Sequence, residues 1–313
     1  KEITIGANDA GQRLDRFLAK AVPLLPASLA QKYIRIKRIK CNGQRIDRDT
    51  RLKAGDVLQL YINDEFVDKP REDNAYLTVA TPKLNIVYED EHILLVDKRP
   101  GLAVHPHDGA EYGRTLIDHI QSYLYQKREW RPREENSFTP ALCNRIDRNT
   151  GGIVIAAKTA EALHVINEKI KMGEIDKRYL CAVHGILPKK QDTLRGYLKK
   201  DSATNMVSVF EKKTTNSREV KEIITEYTVL DETKDLSLCE VHLITGRTHQ
   251  IRAHFSSIGH PLLGDGKYGI NRDDRKAGYS YQALYAYKLK MSFEKSGSEF
   301  DYLSGQCFTV DRS

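Results

Sequence analysis

The chain has 313 residues and a mass of 35.7 kDa, with 40% hydrophobic and 30% charged residues. That composition excludes wholesale disorder, a collagen-like fibre and a multi-span membrane protein, because no run approaches the roughly 18–20 apolar residues of a membrane span. The formal net charge is +7, but unevenly spread: residues 1–65 hold 13 basic and 8 acidic side chains, and the remainder hold 37 and 35. A small basic head on a nearly neutral body suggests a polyanion-gripping module joined to a different activity. Single cores stop growing at roughly 250–300 residues, so one large and one small domain are expected. Lys1-Glu2-Ile3-Thr4 is not followed by an apolar h-region, which argues against a signal peptide. Cys41, Cys143, Cys181, Cys239 and Cys307 are scattered without a C-x-x-C pair. They argue against a disulfide framework or a cysteine zinc site, and for a reducing, cytoplasmic setting.

In chain order, Gly11–Ala19 carries Leu14, Phe17 and Leu18 at helical spacing, and the prolines at 23 and 26 break the pattern. A second helix is predicted from about Ser28 to Lys37. Asn42-Gly43 between short strand-like runs over 39–46 predicts a hairpin, and Leu52–Leu60 closes the segment with a turn and a strand. Lys32, Arg35, Lys37, Arg38 and Lys40 lie in one stretch without an acidic residue, and would form one positive face.

This order, G-x-R-L-D-x-F-L-A, a basic second helix, an N-G hairpin and L-K-x-G-D, resembles the small RNA-binding domain first seen in ribosomal protein S-four, over about residues 9–62. The resemblance implies RNA contacts from Lys32, Arg35, Lys37, Arg38 and Lys40. The head is assigned to 1–65. Residues 63–85 are charged, aperiodic and hold Pro70 and Pro82, so 66–85 is expected to be a linker that lets the head move. The body is assigned to 86–313.

In the body, strands are predicted at 86–88 and 92–96, a helix over 112–125 and a buried strand at 153–157. Thr159 is expected to cap a helix carrying Leu163, Ile166 and Ile170, and further strands at 179–183, 222–230 and 236–244 follow. Residues 127–137, with the single tryptophan Trp130, are read as a loop. Helices and strands mix without a regular βαβ repeat, so the fold class is α+β rather than a doubly wound sheet.

Four segments carry the chemistry. Asp147 lies among Arg145, Arg148, Asn149 and Thr150 ahead of two glycines. Positive neighbours favour the ionised form of a carboxylate, which at the lip of a strand can serve as nucleophile, base or metal ligand. A second segment holds Arg247 and Arg252 with His249 and Gln250 between them, a pairing suited to phosphate or carboxylate recognition. The spacing of His249, His254 and His260 does not suit a metal-binding helix, so no metal site is expected. The other two are Lys98–Pro106 and Lys177–Gly185.

Together the segments are similar to the large-subunit-rRNA (RluA-like) type of pseudouridine synthase, which has K-P-x-G-L-x-x-H-P, H-R-L-D-x-x-T-S-G, K-x-Y-L-A-x-V-x-G, T-G-R-x-H-Q-I/L-R-x-H and G-H-P-I/L-x-G-D in this order. The resemblance covers residues 86–290 and implies a mainly antiparallel mixed-sheet catalytic domain. By position, Asp147 is then the catalytic aspartate, Tyr179 the tyrosine that stacks on the base and could take part in a later proton transfer, and Arg252 the arginine that pairs with the aspartate. Arg145, Thr150, Arg247, His249 and Gln250 fall in the flanking motifs and would support loops or bind RNA. Lys98 and Gly101 match the first motif and His105 its histidine. Asn144, Gly151 and a proline shifted to position 100 depart from the pattern. The implied reaction turns a uridine of structured RNA, rRNA ahead of tRNA, into pseudouridine with no cofactor or metal, in a protein expected to be a monomer. Asp147 could attack ribose carbon 1, add to base carbon 6 or take the carbon 2 proton of the ribose. A non-catalytic RNA-binding scaffold would lack Asp147, Tyr179 or Arg252, and all three are present.

Overall fold

The structure, a computed structural model, describes all residues except 7–9, 69–71, 133–137, 202–203, 214–218, 295 and 311–313. It divides into two compact units: residues 1–83 with 105–136, and residues 84–104 with 137–313.

In the first unit, strand β1 (Glu2–Thr4), helices α1 (Leu14–Ala21) and α2 (Ala27–Arg35), and strands β2 (Ile39–Cys41), β3 (Gln44–Arg45) and β4 (Val57–Leu60) form two helices and a four-stranded sheet of order β1-β4-β2-β3. Leu14, Phe17 and Leu18 of α1 and Ala30 and Ile34 of α2 are buried, the single faces that a 3.6-residue period produces. The β2–β3 hairpin turns on Asn42 and Gly43 at φ +51° and +76°, two positive values of the kind a type I′ turn needs. Helix α2 stops before Lys37, which has left the helix at φ +63°.

Much of the described part of the stretch expected to be a linker is folded. Residues 64–67 and 72–78 are 3₁₀ turns, and Ala75, Tyr76, Leu77 and Val79 are buried. They pack beside α3 (Leu116–Lys127), where the Ser122 hydroxyl donates to the Val79 carbonyl at 2.7 Å. The Tyr76 ring lies 5.1 Å from that of Tyr125 and 4.8 Å from that of Trp130, so the tryptophan expected in a loop is a buried anchor. Residues 133–137 of that loop lie outside the described residues. Helix α3 begins at Leu116, one turn later than the expected start at 112, because Thr115 and Asp118 form a capping box and Gly113 sits at φ +76°.

The second unit is an 11-stranded sheet built from β5 (Ile86–Glu89), β6 (Ile93–Lys98), β7 (Ala141–Leu142), β8 (Gly151–Ala157), β9 (Ile175–His184), β10 (Gln191–Asp201), β11 (Met206–Phe210), β12 (Val220–Glu232), β13 (Leu236–Leu243), β14 (Leu284–Met291) and β15 (Cys307–Thr309). Its main path runs β11-β10-β12-β13-β9-β14-β8-β6-β5, with β15 on β14 and β7 on β8. Only β14 and β8 pair in parallel among the described strands, so the unit is α+β with a mixed, mainly antiparallel sheet. Helix α4 (Ala160–Met172) is capped by the Thr159 hydroxyl, which accepts from Ala162 N–H at 3.1 Å, and ends at Gly173 at φ +78°. Its Ala162 and Ile166 pack on Ile93, Ile153, Ile155, Leu289 and Met291. Burying each such side chain contributes about 1.5–3 kcal/mol. Helix α5 (Gln250–Ser257) covers the other end of the sheet, with Ala253 packed on Leu198, Val207 and Ile223. A short helix α6 (Arg272–Lys276) precedes β14.

Strand β8 is buried along its whole length, and its first residues have no room for side chains. A Cβ on Gly152, at φ +114°, would lie 2.2 Å from the Ala286 carbonyl oxygen of β14. A Cβ on Gly151 would lie 2.2 Å from the Tyr285 ring, so glycine is required where the motif more often has serine. Asn144, in place of the motif's histidine, accepts from Ile155 N–H at 2.7 Å and pins the loop that enters β8.

Candidate active site

Asp147 stands in the loop between β7 and β8, which turns through the bond from Thr150 N–H to the Asp147 carbonyl at 3.0 Å. Its carboxylate side chain is 26% exposed. Arg252 Nη1 donates to Asp147 Oδ2 at 2.8 Å. The other edge of the guanidinium is committed to Asp265, with Nε donating to Oδ2 at 2.7 Å and Nη2 to Oδ1 at 2.9 Å. Asp265 is fully buried and also accepts from Lys267 N–H and Tyr268 N–H, at 2.9 and 3.2 Å. The Tyr268 ring lies 5.1 Å from the guanidinium carbon. Burial works against the Arg252 charge, but the bonds and charge of Asp265, followed by Asp147, outweigh it and raise the pKa above the ordinary arginine value. Arg252 therefore bridges two carboxylates as a fixed cation, and can aim Asp147 without moving.

Tyr179 lies on β9, 7% exposed. Burial, then the charge of Asp147, raises its pKa, so the phenol keeps its proton at neutral pH. It offers a neutral ring face and a hydroxyl, and does not serve as a resting base. The ammonium of Lys177, two residues earlier on the same face of the strand, makes no hydrogen bond or ion pair among the described residues, and burial lowers its pKa. A Cβ on Gly246 would lie 3.7 Å from Lys177 Nζ, which places the ammonium beside the turn that leads into α5.

Several residues expected to bind RNA are instead internal braces. Lys98 is 1% exposed, and its Nζ donates to the carbonyls of Arg99, Leu102 and Arg148 at 3.0, 2.8 and 2.8 Å. All three ammonium protons are used, so none remains for a phosphate; Lys98 ties the Pro100 turn to the Asp147 loop. Burial pulls its pKa down to about 8, against the pull of Asp147. Thr150 is buried and its hydroxyl accepts from Gln282 Nε2 at 3.2 Å. Gln250 is buried, accepts from Thr245 Oγ1 and Arg247 N–H, and donates to Ile224 O and Thr225 Oγ1. Sequence spacing cannot separate such braces from contacts, because a lysine that binds phosphate and one that binds carbonyls have the same composition.

Arg145 and Arg247 are exposed, as is His105, which belongs to the first unit. His249 is in the site, with Nε2 3.8 Å from Asp147 Oδ2. His254 and His260 are elsewhere engaged: His254 Nδ1 is 2.9 Å from Thr225 Oγ1, and His260 Nδ1 donates to the His184 carbonyl at 2.8 Å. Burial pulls the His254 pKa down to about 4. Asp265 belongs to a motif that the sequence displays, but its partner is 13 residues away in the chain. Tyr268 carries no sequence signal.

In the first unit, Lys32, Arg35, Lys37 and Arg38 are exposed and Lys40 is half-buried. Lys32 and Arg35 of α2 line a cavity of about 480 Å³ together with Arg45, Arg48, Asp47 and Asp49. Arg45 and Arg48 extend the positive face beyond the Lys32–Lys40 stretch, because the hairpin folds back beside α2. Arg38 lies over the Tyr33 ring at 5.5 Å and Lys40 over the exposed Tyr61 ring at 5.7 Å.

Residues 92–257 match the RNA pseudouridylate synthase family, and residues 12–58 match the S4 domain. The chain is 34% identical over 281 residues to an uncharacterized RNA pseudouridine synthase of Mycoplasma genitalium, covering 89% of this chain and 85% of that one. It is 30% identical to the ribosomal large subunit pseudouridine synthase C of Vibrio parahaemolyticus, covering 95% of this chain and 89% of the relative. The fold matches human RNA pseudouridylate synthase domain containing 4 at a TM-score of 0.57 and 20% identity, covering 72% of this chain and 88% of that chain. No helix among the described residues is long and apolar enough to cross a membrane. The chain belongs to the RNA pseudouridine synthases, isomerases that act on RNA, and carries an S4 domain towards its amino terminus.

Proposed function

We propose that this synthase converts one or more uridines of large-subunit rRNA to pseudouridine, with Asp147 as the catalytic carboxylate. The observation that carries the reading is the Arg252 bond to Asp147 at 2.8 Å, made by a guanidinium that Asp265 holds from behind. A carboxylate fixed in this way and still 26% exposed is ready to meet a ribose or a base. In the reaction the bond from ribose carbon 1 to base nitrogen 1 breaks, the base turns, and a bond from carbon 1 to base carbon 5 forms. Carbon 5 loses its proton and nitrogen 1 gains one, so atoms and electrons balance without oxidant or hydride.

Tyr179 supplies the flat face for the uracil. Lys177 and exposed Arg145 and Arg247 are cations for the flanking phosphates, and a uridine flipped from a stack needs such contacts to offset a cost of a few kcal/mol. The basic face of the head, with Lys32, Arg35, Arg45 and Arg48, holds the RNA; its S4 character and the large-subunit relatives favour rRNA over tRNA as target. The test is pseudouridine mapping of total RNA from cells with and without the protein. Loss of a large-subunit rRNA site on deletion supports the reading; loss of a tRNA site alone contradicts the choice of target, and free uracil among the products of the purified protein would indicate hydrolysis instead.

A further inference from the structure

His249 combines three observations. Of the five non-glycine residues at positive φ among the described residues, it alone belongs to the site, at φ +54°. A left-handed conformation costs an ordinary residue about 1–2 kcal/mol. That conformation, at the start of α5, turns the ring so that Nδ1 lies 2.7 Å from the Tyr268 hydroxyl while Nε2 faces Asp147 Oδ2 at 3.8 Å. The Tyr268 hydroxyl in turn accepts from the Val207 backbone N–H at 3.0 Å.

A phenol has a single proton. With Val207 N–H occupying one acceptor position and the Asp147 carboxylate facing Nε2, where a bare lone pair would be repelled, the Tyr268 proton is directed to His249 Nδ1 and the ring carries its own proton on Nε2. Five groups surround the ring. Burial disfavours its charged form; Asp147 and Asp265 oppose this, and Arg252 and Lys267 reinforce it, with a net lowering of the pKa. Tyr268 is uncharged, its own pKa raised by burial. The imidazole is therefore neutral at physiological pH. At 3.8 Å its Nε2–H is beyond hydrogen-bond range of Asp147, which leaves a directed donor beside the carboxylate with no acceptor among the described residues.

We propose that Tyr268 fixes His249 as the Nε2–H tautomer so that the ring donates to an oxygen of the nucleotide held at Asp147; His249 is then a substrate-contacting residue and Tyr268 its positioning residue. The proposal rests on the reading of this site as a uridine isomerase. The strongest acceptors next to ribose carbon 1 are the uracil 2-carbonyl and the ribose 2′-hydroxyl, the ring oxygen being a poorer one. Either is the chemistry that Nε2–H recognises.

The test compares His249→Gln, His249→Asn, His249→Ala and Tyr268→Phe in single-turnover reactions on an unmodified large-subunit rRNA transcript. Glutamine keeps a donor near the Nε2 position but suits a left-handed backbone poorly. Asparagine tolerates that backbone well but places its amide nearer Nδ1. A donor role predicts that the glutamine variant stays within about 3-fold of wild type in the single-turnover rate constant while the asparagine and alanine variants lose about 10-fold. A purely structural role predicts the reverse order and overturns the proposal. Transcripts with 2-thiouridine or 2′-deoxyuridine at the target name the acceptor: the gap between wild type and His249→Ala closes for one of them, and a gap unchanged on both overturns the proposal. Nitrogen NMR of the His249 ring in the wild-type protein should show the Nε2–H tautomer, and a mixture in Tyr268→Phe; an Nδ1–H ring in wild type overturns the proposal with no reference to activity. Wild-type protein that forms no pseudouridine on any transcript fails the underlying reading, and the proposal with it, whereas normal wild-type turnover with the wrong variant order fails the proposal alone.

Discussion

Asp265 holds Arg252 by two parallel bonds, at 2.7 and 2.9 Å, and leaves only Nη1 of the guanidinium for Asp147. The pair is buried, so neither partner can be satisfied by water if the other is lost. Asp147 is thus aimed by a residue it never touches. Asp265→Asn places an amide N–H against a guanidinium N–H and releases Arg252. Expected is a fall in kcat of about 100-fold, or about 2.7 kcal/mol, with the RNA Kd within a few-fold of wild type. Single-turnover kinetics with a parallel binding titration checks it; an unchanged kcat in folded protein removes Asp265 from the orienting chain.

Lys98→Met removes three hydrogen bonds and strands the carbonyls of Arg99, Leu102 and Arg148. Expected is a loss of about 3 kcal/mol in denaturant unfolding together with reduced turnover, because the Arg148 carbonyl belongs to the Asp147 loop. The salt dependence of RNA binding should stay as in wild type. A reduced salt slope would return Lys98 to the phosphate contacts.

Replacing Lys32, Arg35, Arg45 and Arg48 by glutamine should have the opposite signature. If each meets one phosphate, the slope of log K against log salt falls by about 0.7–0.9 per residue, and turnover at saturating RNA is unchanged. Titration at several salt concentrations measures it, and an unaltered slope would show that RNA does not use this face.

How far the sequence reveals this arrangement depends on the range over which each feature is determined. Asn42-Gly43, the Thr159 cap and the Leu14, Phe17 and Leu18 face are legible because each is settled within one turn of chain. Strands β10 and β14 are not, because Lys199, Lys200, Lys288 and Lys290 on their open positions blur the alternation, and their burial is decided by neighbours distant in the chain. The motifs bring Asp147, Tyr179 and Arg252 into view together. They do not distinguish Lys98, Thr150 and Gln250 as braces, since that depends on which carbonyls and amides surround them after folding.

The His249 ring is active in its neutral form, and burial beside Arg252 and Lys267 lowers its pKa below the ordinary value of about 6.5. Activity should therefore hold as pH falls through 6.5 and decline only below it, as the ring takes up a proton. His249→Gln lacks that contribution to the acid limb. A pH–rate profile of kcat for both proteins checks this; a wild-type decline centred at or above 6.5 that vanishes in the glutamine variant would contradict the neutral assignment.

Tritium release from RNA labelled at uridine carbon 5 tests the role of Asp147 most directly. Wild-type protein should release label as pseudouridine forms, and Asp147→Ala and Asp147→Asn should bind the same RNA with nearly unchanged Kd yet release none above background. Substantial release by either variant at matched RNA occupancy would contradict the assignment of Asp147 as the catalytic carboxylate.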